Sequence, residues 1–165
     1  MKYKPDDQKS KLQANVRKWY AEDLKTDNLL LNRLVELWVQ LDDAEDQYDK
    51  PFGLRMPDKK GITDLFRKRL LNSSGYAIYD EEKVVGFCIT KTAEYENSYF
   101  ISALVIDRAY RGKNYGKSIL DYVIQDKKEQ NALLRVSTNN RAGIALYEKC
   151  GFVPMSQVMI RKAKS

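Results

Sequence analysis

The stretch that most constrains the fold of this chain is Leu104–Leu120, in which an apolar run breaks into a basic, glycine-containing turn and then into a helical pattern. The β-branched residues before the turn predict a strand, and the apolar spacing after it predicts an amphipathic helix. A helix that starts after such a turn directs unpaired backbone N–H groups, and the positive end of its dipole, toward the turn. The segment therefore predicts a site for a phosphate or pyrophosphate between a strand and a helix.

Both the conformation and the charge of this turn suit an anion. Glycine allows positive φ and close backbone approach, and asparagine is one of the few other residues that tolerate the left-handed region. Lysine and arginine side chains in and after the turn add positive charge. The predicted anion-binding residues are Arg111, Gly112, Lys113, Asn114, Tyr115, Gly116, Lys117 and Ser118.

Two common nucleotide-binding motifs do not fit this turn. Gly116-Lys117-Ser118 ends like a Walker loop, but that motif requires glycine at position 111, which is arginine here. The turn also fails the dinucleotide pattern G-x-G-x-x-G, and no early βαβ unit precedes it. The sequence therefore supports neither nucleotide fold.

Two motifs carry a resemblance to a known family. Residues 111–116 resemble the R/Q-x-x-G-x-G/A signature of the GNAT superfamily of acyl-CoA N-acetyltransferases. Residues 136–152, VSTNNRAGIALYEKCGF, are similar to that family's later motif, N-x-x-A-x-x-L-Y followed by a Gly-Phe pair. The chain is identified as a member on these motifs, and the resemblance covers Ala77–Lys162. Two positions depart from the pattern, since Asn114 replaces the usual glycine and Gly143 stands where alanine is usual.

The resemblance implies a fold and a cofactor. The fold class is α/β (α+β), with a mixed, mostly antiparallel sheet of about six or seven strands, flanked by about four helices and splayed open between strands 4 and 5. The cofactor is acetyl-CoA, whose pyrophosphate would lie at the turn and whose pantetheine arm would pair with the backbone of Leu104, Val105 and Ile106 in the splay. Residues 1–165 are expected to form a single domain, with residues 1–13 as a loose polar tail.

Apolar periodicity predicts where the other elements lie. Strands are expected at Val16–Tyr20, Tyr76–Tyr79, Val84–Thr92, Tyr99–Ile106, Leu133–Val136 and Val153–Ile160. Helices are expected at Asn28–Leu41, with Asp27 as its cap, and at Ile62–Leu71. An acidic loop from Asp42 to Pro57 is expected between these two helices.

The implied reaction needs a neutral amine, donors for a developing oxyanion and a proton for the leaving thiolate. The backbone N–H near Ile106 is the expected oxyanion donor. By the resemblance, Tyr147 is the expected general acid, because family members often place this hydroxyl near the cofactor sulfur. Packing beside Leu146 is the other interpretation of Tyr147. Asn140 either bonds the pantetheine arm or only caps its helix, and Asn139 competes with it for both roles.

The general base stays open, because the chain contains no histidine. Relatives often carry a base just before the position of Leu104, on a face that holds Phe100 and Ser102 here, and neither is a base at neutral pH. Glu94 and Glu96, in the preceding turn, are candidates. They are also consistent with ordinary solvated turn residues, in which case a chain of water molecules would carry the proton to bulk solvent.

Acceptor recognition is expected in the first half of the chain. The segment 40–52 combines carboxylates with two aromatic side chains, a composition that suits a cation. The candidate acceptor residues are Asp42, Asp43, Glu45, Asp46 and Tyr48. They favour a polyamine, an aminoglycoside antibiotic or a basic peptide or protein, whereas a hydrophilic connector is the alternative.

The distribution of charged residues along the chain is also compatible with other partners. Residues 101–165 carry twelve Lys and Arg against five Asp and Glu, a net +7, while residues 1–100 sum to −1. The positive half contains the predicted phosphate site, and a positive field raises encounter rates with coenzyme A. A non-catalytic acyl-CoA sensor, a basic protein- or nucleic-acid-binding module and an enzyme that acetylates aminoacyl-RNA are the alternatives to an enzyme that acetylates a small or peptide amine.

Composition also bears on compartment and mechanism. No apolar run approaches the length of a membrane span, and the N-terminal residues lack the apolar stretch of a signal peptide, so a cytosolic monomer or homodimer is expected. Cys88 and Cys150 show no metal-ligand spacing and are expected to be reduced and buried, and no metal site is predicted. Neither has a histidine partner, so direct transfer in a ternary complex is expected rather than an acetyl-enzyme.

Overall fold

The computed structural model describes residues 15–53 and 61–163. The predicted tail, residues 1–13, and residues 54–57 of the predicted acidic loop lie outside these ranges. The described strands are β1 (Val16–Trp19), β2 (Gly75–Asp80), β3 (Lys83–Thr92), β4 (Ser98–Ile106) and β5 (Asn131–Leu134). They form one sheet in the order β1-β2-β3-β4-β5, which is antiparallel from β1 to β4 and parallel between β4 and β5.

Helices pack on both faces of this sheet, and their starts follow local chemistry. The helices are α1 (Ala21–Thr26), α2 (Asn28–Asp49), α3 (Ile62–Leu70), α4 (Tyr115–Asp126) and α5 (Arg141–Lys149). The second helix begins at Asn28 because the Asp27 side chain accepts from the Leu30 N–H (2.9 Å), as predicted. The fourth begins after Asn114, whose φ of 70° turns the chain sharply.

Most predicted elements are confirmed, and the strand count is lower than expected. The first four strands and the starts of α2 and α3 lie where periodicity predicted them. β5 lies at Asn131–Leu134 rather than Leu133–Val136, and α1 was not predicted. Residues 153–160 are not a strand, and Val158 and Met159 are 92% and 89% exposed. The described sheet therefore has five strands, because an apolar pattern alone does not supply a pairing partner.

The predicted acidic loop is in part a helix. α2 continues to Asp49, so Asp42, Asp43, Glu45, Asp46 and Tyr48 lie on its last turns. Residues 42–49 contain neither glycine nor proline, and the first proline follows at position 51. Nothing in the backbone chemistry therefore stops the helix earlier. The acceptor candidates occupy a regular helical surface rather than a connector.

The core has two parts, one on each face of the sheet. Leu34 and Leu37 of α2 pack with Phe87 and Val105 on one face. Ile119 and Leu120 of α4 pack with Ile78 and Cys88 on the other, where α5 contributes only partly buried side chains. Among the described residues, no helix is both long and apolar enough to cross a bilayer.

Candidate functional site

The two halves of β4 have different neighbours. Residues Ser98–Ile101 pair with β3 on one side and β5 on the other. Pairing with β5 ends at Ile101, opposite Leu134, so within residues 15–53 and 61–163 the segment 102–106 pairs with β3 alone. The sheet is thus open beside the second half of β4, as predicted for a splay between the fourth and fifth strands.

A β-bulge lies where the opening begins. Ile89 of β3 pairs with Ala103, and the next residue, Thr90, pairs with Ile101, so Ser102 has no partner in the β3 register. The Ser102 hydroxyl donates to the Ile89 carbonyl oxygen (3.3 Å). A bulge increases the local twist of a strand, which favours divergence of β4 from β5 beyond this point.

The strand register shows which backbone groups face the opening. The Asp107 N–H donates to the Val85 carbonyl on β3 (2.8 Å). Because backbone groups alternate in direction along a strand, those of Val105 point to β3 and those of Leu104 and Ile106 point into the opening. Two of the three residues predicted to pair with the cofactor are therefore suitably directed, whereas Val105 is not, and its side chain is buried in the core.

The turn between β4 and α4 has the conformation predicted for an anion site. Gly112 (φ 74°) and Asn114 (φ 70°) both adopt the left-handed region. The Ser118 N–H donates to the Asn114 carbonyl (3.0 Å), which closes the first helical turn. No side chain caps α4 in the described part of the chain, so the N–H groups of residues 115–117 remain available at the turn.

The side chains of this turn divide into three kinds. Arg111 and Lys113 are exposed, although Arg111 Nε also donates to the Ile106 carbonyl (3.0 Å). Lys117 forms an ion pair with Asp121 (2.7 Å). The side chains of Tyr115 and Ser118 are buried. Tyr115 offers a ligand only its backbone N–H, and Ser118 does not offer even that, because its N–H donates to the Asn114 carbonyl.

Gly116 allows three elements to approach one another. A Cβ at this position would lie 3.2 Å from Leu146 Cδ2 and 3.6 Å from Ile106 Cγ1. The start of α4, the end of β4 and the middle of α5 therefore meet here. This contact brings Tyr147, the residue after Leu146, to the same partly buried apolar cluster as Leu104 and Ile106.

The two asparagines before α5 have separate roles. The Asn140 side chain accepts from the Gly143 N–H (2.9 Å), so it is the N-cap of α5. Asn139 Nδ2 donates instead to the carbonyl of Tyr48 in the last turn of α2 (2.9 Å). Asn139 thereby ties the acidic end of α2 to the start of α5, a contact between residues far apart in sequence.

Electrostatics link Tyr147 to this end of α2. Burial, with the nearby Cys88 and Glu45, raises the pKa of the Tyr147 phenol to about 12. The pKa of the Glu45 carboxyl is raised as well, by burial first and then by the charges of Asp42, Asp49 and Asp46 on the same helix. Tyr147 stays protonated at neutral pH, and Glu45 holds a proton more strongly than an isolated glutamate.

A second contact, which sequence reasoning missed, fixes α2 to the end of β4. Arg33 is ion-paired with Asp107, and its Nε donates to the Val84 carbonyl (2.9 Å). Burial alone would raise the pKa of Asp107, but the hydrogen bond from Arg33 and one from the Ala109 N–H lower it. Only the apolar stripe of α2 was visible in the sequence, and it does not reveal which strand end its polar face meets.

The remaining candidates lie in two different places. Glu94 and Glu96 are exposed in the turn before β4, and eight residue steps of about 3.3 Å put the start of that strand about 26 Å from Ile106. The structure does not bring this turn to Tyr147. Asp43 lies nearer the anion site, because its carboxylate is 3.8 Å from the Arg108 guanidinium.

Comparison with known proteins identifies the architecture around this opening. The sequence model of the acetyltransferase (GNAT) family matches residues 33–152. No curated protein sequence matched the chain.

Solved structures share the fold at low sequence identity. An aminoglycoside acetyltransferase from an uncultured soil metagenomic sample, in complex with sisomicin, is 14% identical with a TM-score of 0.59, over 91% of this chain and 95% of that one. The tetramutant of the BH1408 protein from Bacillus halodurans is 17% identical with a TM-score of 0.67, over 90% and 99%. A protein described as a possible acetyltransferase from Clostridium difficile is 18% identical with a TM-score of 0.57, over 91% and 97%.

Proposed function

The chain belongs to the acetyltransferase (GNAT) family, and from that premise we propose that it is an acetyl-CoA-dependent N-acetyltransferase that acts on a primary amine in a ternary complex. The observation that carries the proposal is the opening beside residues 102–106 of β4, which ends at an uncapped helix N-terminus. An open strand edge suits an amide-containing arm, and the helix end suits its phosphates.

The residues of the opening fit coenzyme A group by group. The Leu104 and Ile106 backbone would pair with the pantetheine amides. The N–H groups of residues 115–117, with Arg111 and Lys113, would hold the pyrophosphate. The side-chain oxygen of Asn140 caps α5, so its amide nitrogen would donate to the pantetheine arm. Gly112, which a Cβ would not crowd, leaves the turn open to the ligand.

Acetyl-CoA, when bound, supplies the acetyl group as a thioester. A backbone N–H of Leu104 or Ile106 would stabilise negative charge on the thioester oxygen as the amine attacks. Tyr147 would donate its phenolic proton to the leaving sulfur. A phenol with a pKa of about 12 keeps that proton ready across the physiological range.

The acceptor in this proposal is a small cationic amine or a peptide amine. Asp42 is buried, whereas Glu45, Asp46 and Asp49 keep exposed surface on the last turns of α2. This end of α2 lies beside the start of α5, because Asn139 donates to the Tyr48 carbonyl. The similarity to a structure that contains sisomicin, an aminoglycoside, supports a polycationic acceptor.

The first test measures cofactor binding and turnover together. Acetyl-CoA binding is measured by calorimetry, and thiol release is then followed with polyamines, aminoglycosides and basic peptides. Binding with turnover on one class supports the proposal and names the acceptor. Binding without turnover on every amine favours an acyl-CoA sensor instead, and no binding contradicts the proposal.

Tyr147→Phe tests the acid within this scheme. The variant removes only the hydroxyl, so acetyl-CoA affinity should stay the same while kcat falls by about 10²-fold, as expected for the loss of a general acid. Parallel calorimetry and thiol-release assays separate the two quantities. A variant with unchanged kcat would remove Tyr147 from the chemistry and leave it as a packing residue beside Leu146.

A further inference from the structure

One aromatic side chain of β4 has two cations beside its ring. Phe100 pairs with Lys91 on β3 and with Leu133 on β5, and residues that pair in this way project to the same face of a sheet. The centroid of the Phe100 ring is 5.3 Å from Lys91 Nζ and 6.0 Å from the guanidinium carbon of Arg135. Lys91, Phe100 and Arg135 therefore form a cation–aromatic cluster on one face of the sheet.

Alternation along the strands shows which face the cation–aromatic cluster occupies. Tyr99 and Ile101, the neighbours of Phe100 in the chain, both belong to the core on the α4 face, so Phe100 projects to the α2 face. Lys91 follows Ile89, a member of the core on the α2 face, by two residues. Phe100 is only half-buried and belongs to neither core. The α2 face is therefore accessible to a ligand at this cluster.

The cation–aromatic cluster lies where β4 and β5 part. The last residues that pair are Ile101 and Leu134, and Phe100 precedes the first whereas Arg135 follows the second. In the proposed complex, the cofactor arm runs from the start of α4 past Leu104, so its thioester end points toward the cluster. Four residue steps of about 3.3 Å put Phe100 about 13 Å from Leu104. A group a few bonds from the acceptor amine can therefore reach the cluster.

The charge of the cluster is not neutralised within residues 15–53 and 61–163. Lys91 and Arg135 are both exposed, and neither forms an ion pair with a carboxylate in these ranges. This holds even for Glu94 and Glu96, which lie in the hairpin that follows Lys91. Two cations beside one ring repel an ammonium group and attract a carboxylate.

A region of opposite charge lies nearby, at the end of α2. Glu45 and Asp49 keep exposed surface there, and Asn139 holds this end of the helix through its hydrogen bond to the Tyr48 carbonyl. Asn139 follows Arg135 by four residues, so at most about 14 Å of chain separates the two. The surface next to the opening thus offers carboxylates to an ammonium group and the cation–aromatic cluster to an anion.

From this arrangement we propose that the cation–aromatic cluster binds a carboxylate of the acceptor, which makes the acceptor a peptide amine with an acidic side chain close to it. The inference rests on the proposed acetyltransferase function and selects one acceptor class within it. The ammonium group would face the end of α2, and the carboxylate would contact Lys91 and Arg135. A polyamine or an aminoglycoside has no anionic group for the cluster, which would repel such an acceptor.

Two peptides that differ only in glutamate or glutamine next to the N-terminal residue test the assignment. Thiol release gives kcat and KM for each peptide at one ionic strength. Wild type should show a KM about tenfold lower for the glutamate peptide, and Lys91→Met and Arg135→Met should each raise that KM about fivefold, the effect of one partly exposed ion pair. The kcat and the KM for the glutamine peptide should not change. Equal KM values for the two peptides in wild type would overturn the assignment.

Lys127→Met is the matched control. Lys127 Nζ lies 5.4 Å from the ring centroid of Tyr99, which is next to Phe100 in the chain and projects to the opposite face of the sheet. Its loss should leave both KM values unchanged. Arg135→Glu should reverse the preference, so that a peptide with lysine in place of the glutamate becomes the better acceptor. An equal rise in KM for every peptide would show that Arg135 only supports the structure around β5, and would contradict the proposal.

Two further measurements separate the subsite from its alternatives. An aminoacylated oligonucleotide is compared with the glutamate peptide, and a preference for the oligonucleotide that Arg135→Met removes would mean that the cluster binds phosphate, which overturns the proposal. The ring resonances of Phe100 are then followed by NMR while the glutamate peptide is added in the presence of coenzyme A. They should shift in wild type and not in Arg135→Met. A shift without acetylation of any peptide would support the subsite and contradict the proposed function, whereas turnover without a shift would contradict the subsite alone.

Discussion

The first and second halves of β4 have similar sequences and different surroundings. Ser98–Ile101 is paired on both sides, whereas residues 102–106 are paired only with β3 among the strands that the structure describes. Both halves consist largely of apolar residues, so side-chain pattern does not separate them. The difference lies in the bulge at Ser102 and the early end of β5. It shows that one strand can be structural at its start and a ligand-binding edge at its end.

The largest expected effect concerns the pairing of residues 102–106, the second half of β4, with β3. A Cβ at Gly86, which pairs with Ile106, would lie 2.7 Å from the Val105 carbonyl oxygen and 2.4 Å from Ile106 Cδ1. Gly86→Ala should therefore destabilise the fold by up to about 3 kcal/mol and also weaken acetyl-CoA binding, because it displaces the open edge. Urea denaturation and calorimetry measure the two effects.

Gly75→Ala is the matched control for this change. Its Cβ would lie 2.5 Å from the Cys88 carbonyl oxygen, a clash of similar severity on a different pair of strands. We expect comparable destabilisation with unchanged acetyl-CoA affinity in the folded fraction. Equal losses of acetyl-CoA affinity in both variants would mean that the pairing of β3 with β4 matters no more to the opening than the pairing of β2 with β3.

The next effect concerns the ion pair between Arg33 and Asp107 at the end of β4. Asp107→Asn removes the ion pair with Arg33, and the loss of a charged hydrogen bond in this partly buried position should cost about 2 kcal/mol at neutral pH. The pKa of Asp107 is lowered in the folded state, so its stabilisation is complete above the unfolded value of about 3.9 and is lost as pH falls through the lower folded value.

The difference in unfolding free energy between wild type and Asp107→Asn should therefore shrink in acid. Urea titrations at a series of pH values check this sign. A difference that stayed constant below the folded pKa of Asp107 would show that the substitution acts through packing, and that Arg33 does not stabilise the open half of β4 through charge.

The smallest effect compares two lysines of the turn. Lys113 is exposed, whereas Lys117 is held by Asp121 (2.7 Å). Lys113→Met should weaken acetyl-CoA binding by about tenfold, or 1.4 kcal/mol, with less salt dependence, because one phosphate contact is lost. Lys117→Met should change affinity less. The opposite order, measured by calorimetry at two salt concentrations, would place the phosphates on the helix side of the turn.

The positions of the first four strands and of the start of α4 could be predicted from the sequence, but the bulge in β4 could not. Alternation located β1 to β4, and the basic turn with Asn114 located the start of α4. The predicted end of α2 at Leu41 is wrong, because acidic residues do not by themselves end a helix and residues 42–49 contain no helix breaker. Ser102 carries no local mark of a bulge, since a bulge depends on the register of the partner strand.

The residues of the candidate site also fall into two groups: those that the local sequence predicts and those that it does not. Leu104, Ile106 and the turn were found because their chemistry is local to one segment. The position of Asn139 depends on its hydrogen bond to the Tyr48 carbonyl on α2, a contact between distant segments that leaves no short-range pattern. The Arg33–Asp107 pair is of the same kind. Val105 was included by proximity, and its direction follows from strand alternation once the register is known.

The most direct test of the central claim is amide hydrogen exchange, followed by NMR, with and without acetyl-CoA. We expect the Leu104 and Ile106 amides to gain protection when the ligand is added, because they acquire hydrogen-bond partners at the open edge. The Phe100 and Ile101 amides, already paired within the sheet, should not change. Uniform protection along β4, or protection confined to Ser98–Ile101, would contradict the claim that the second half of this strand is the binding edge.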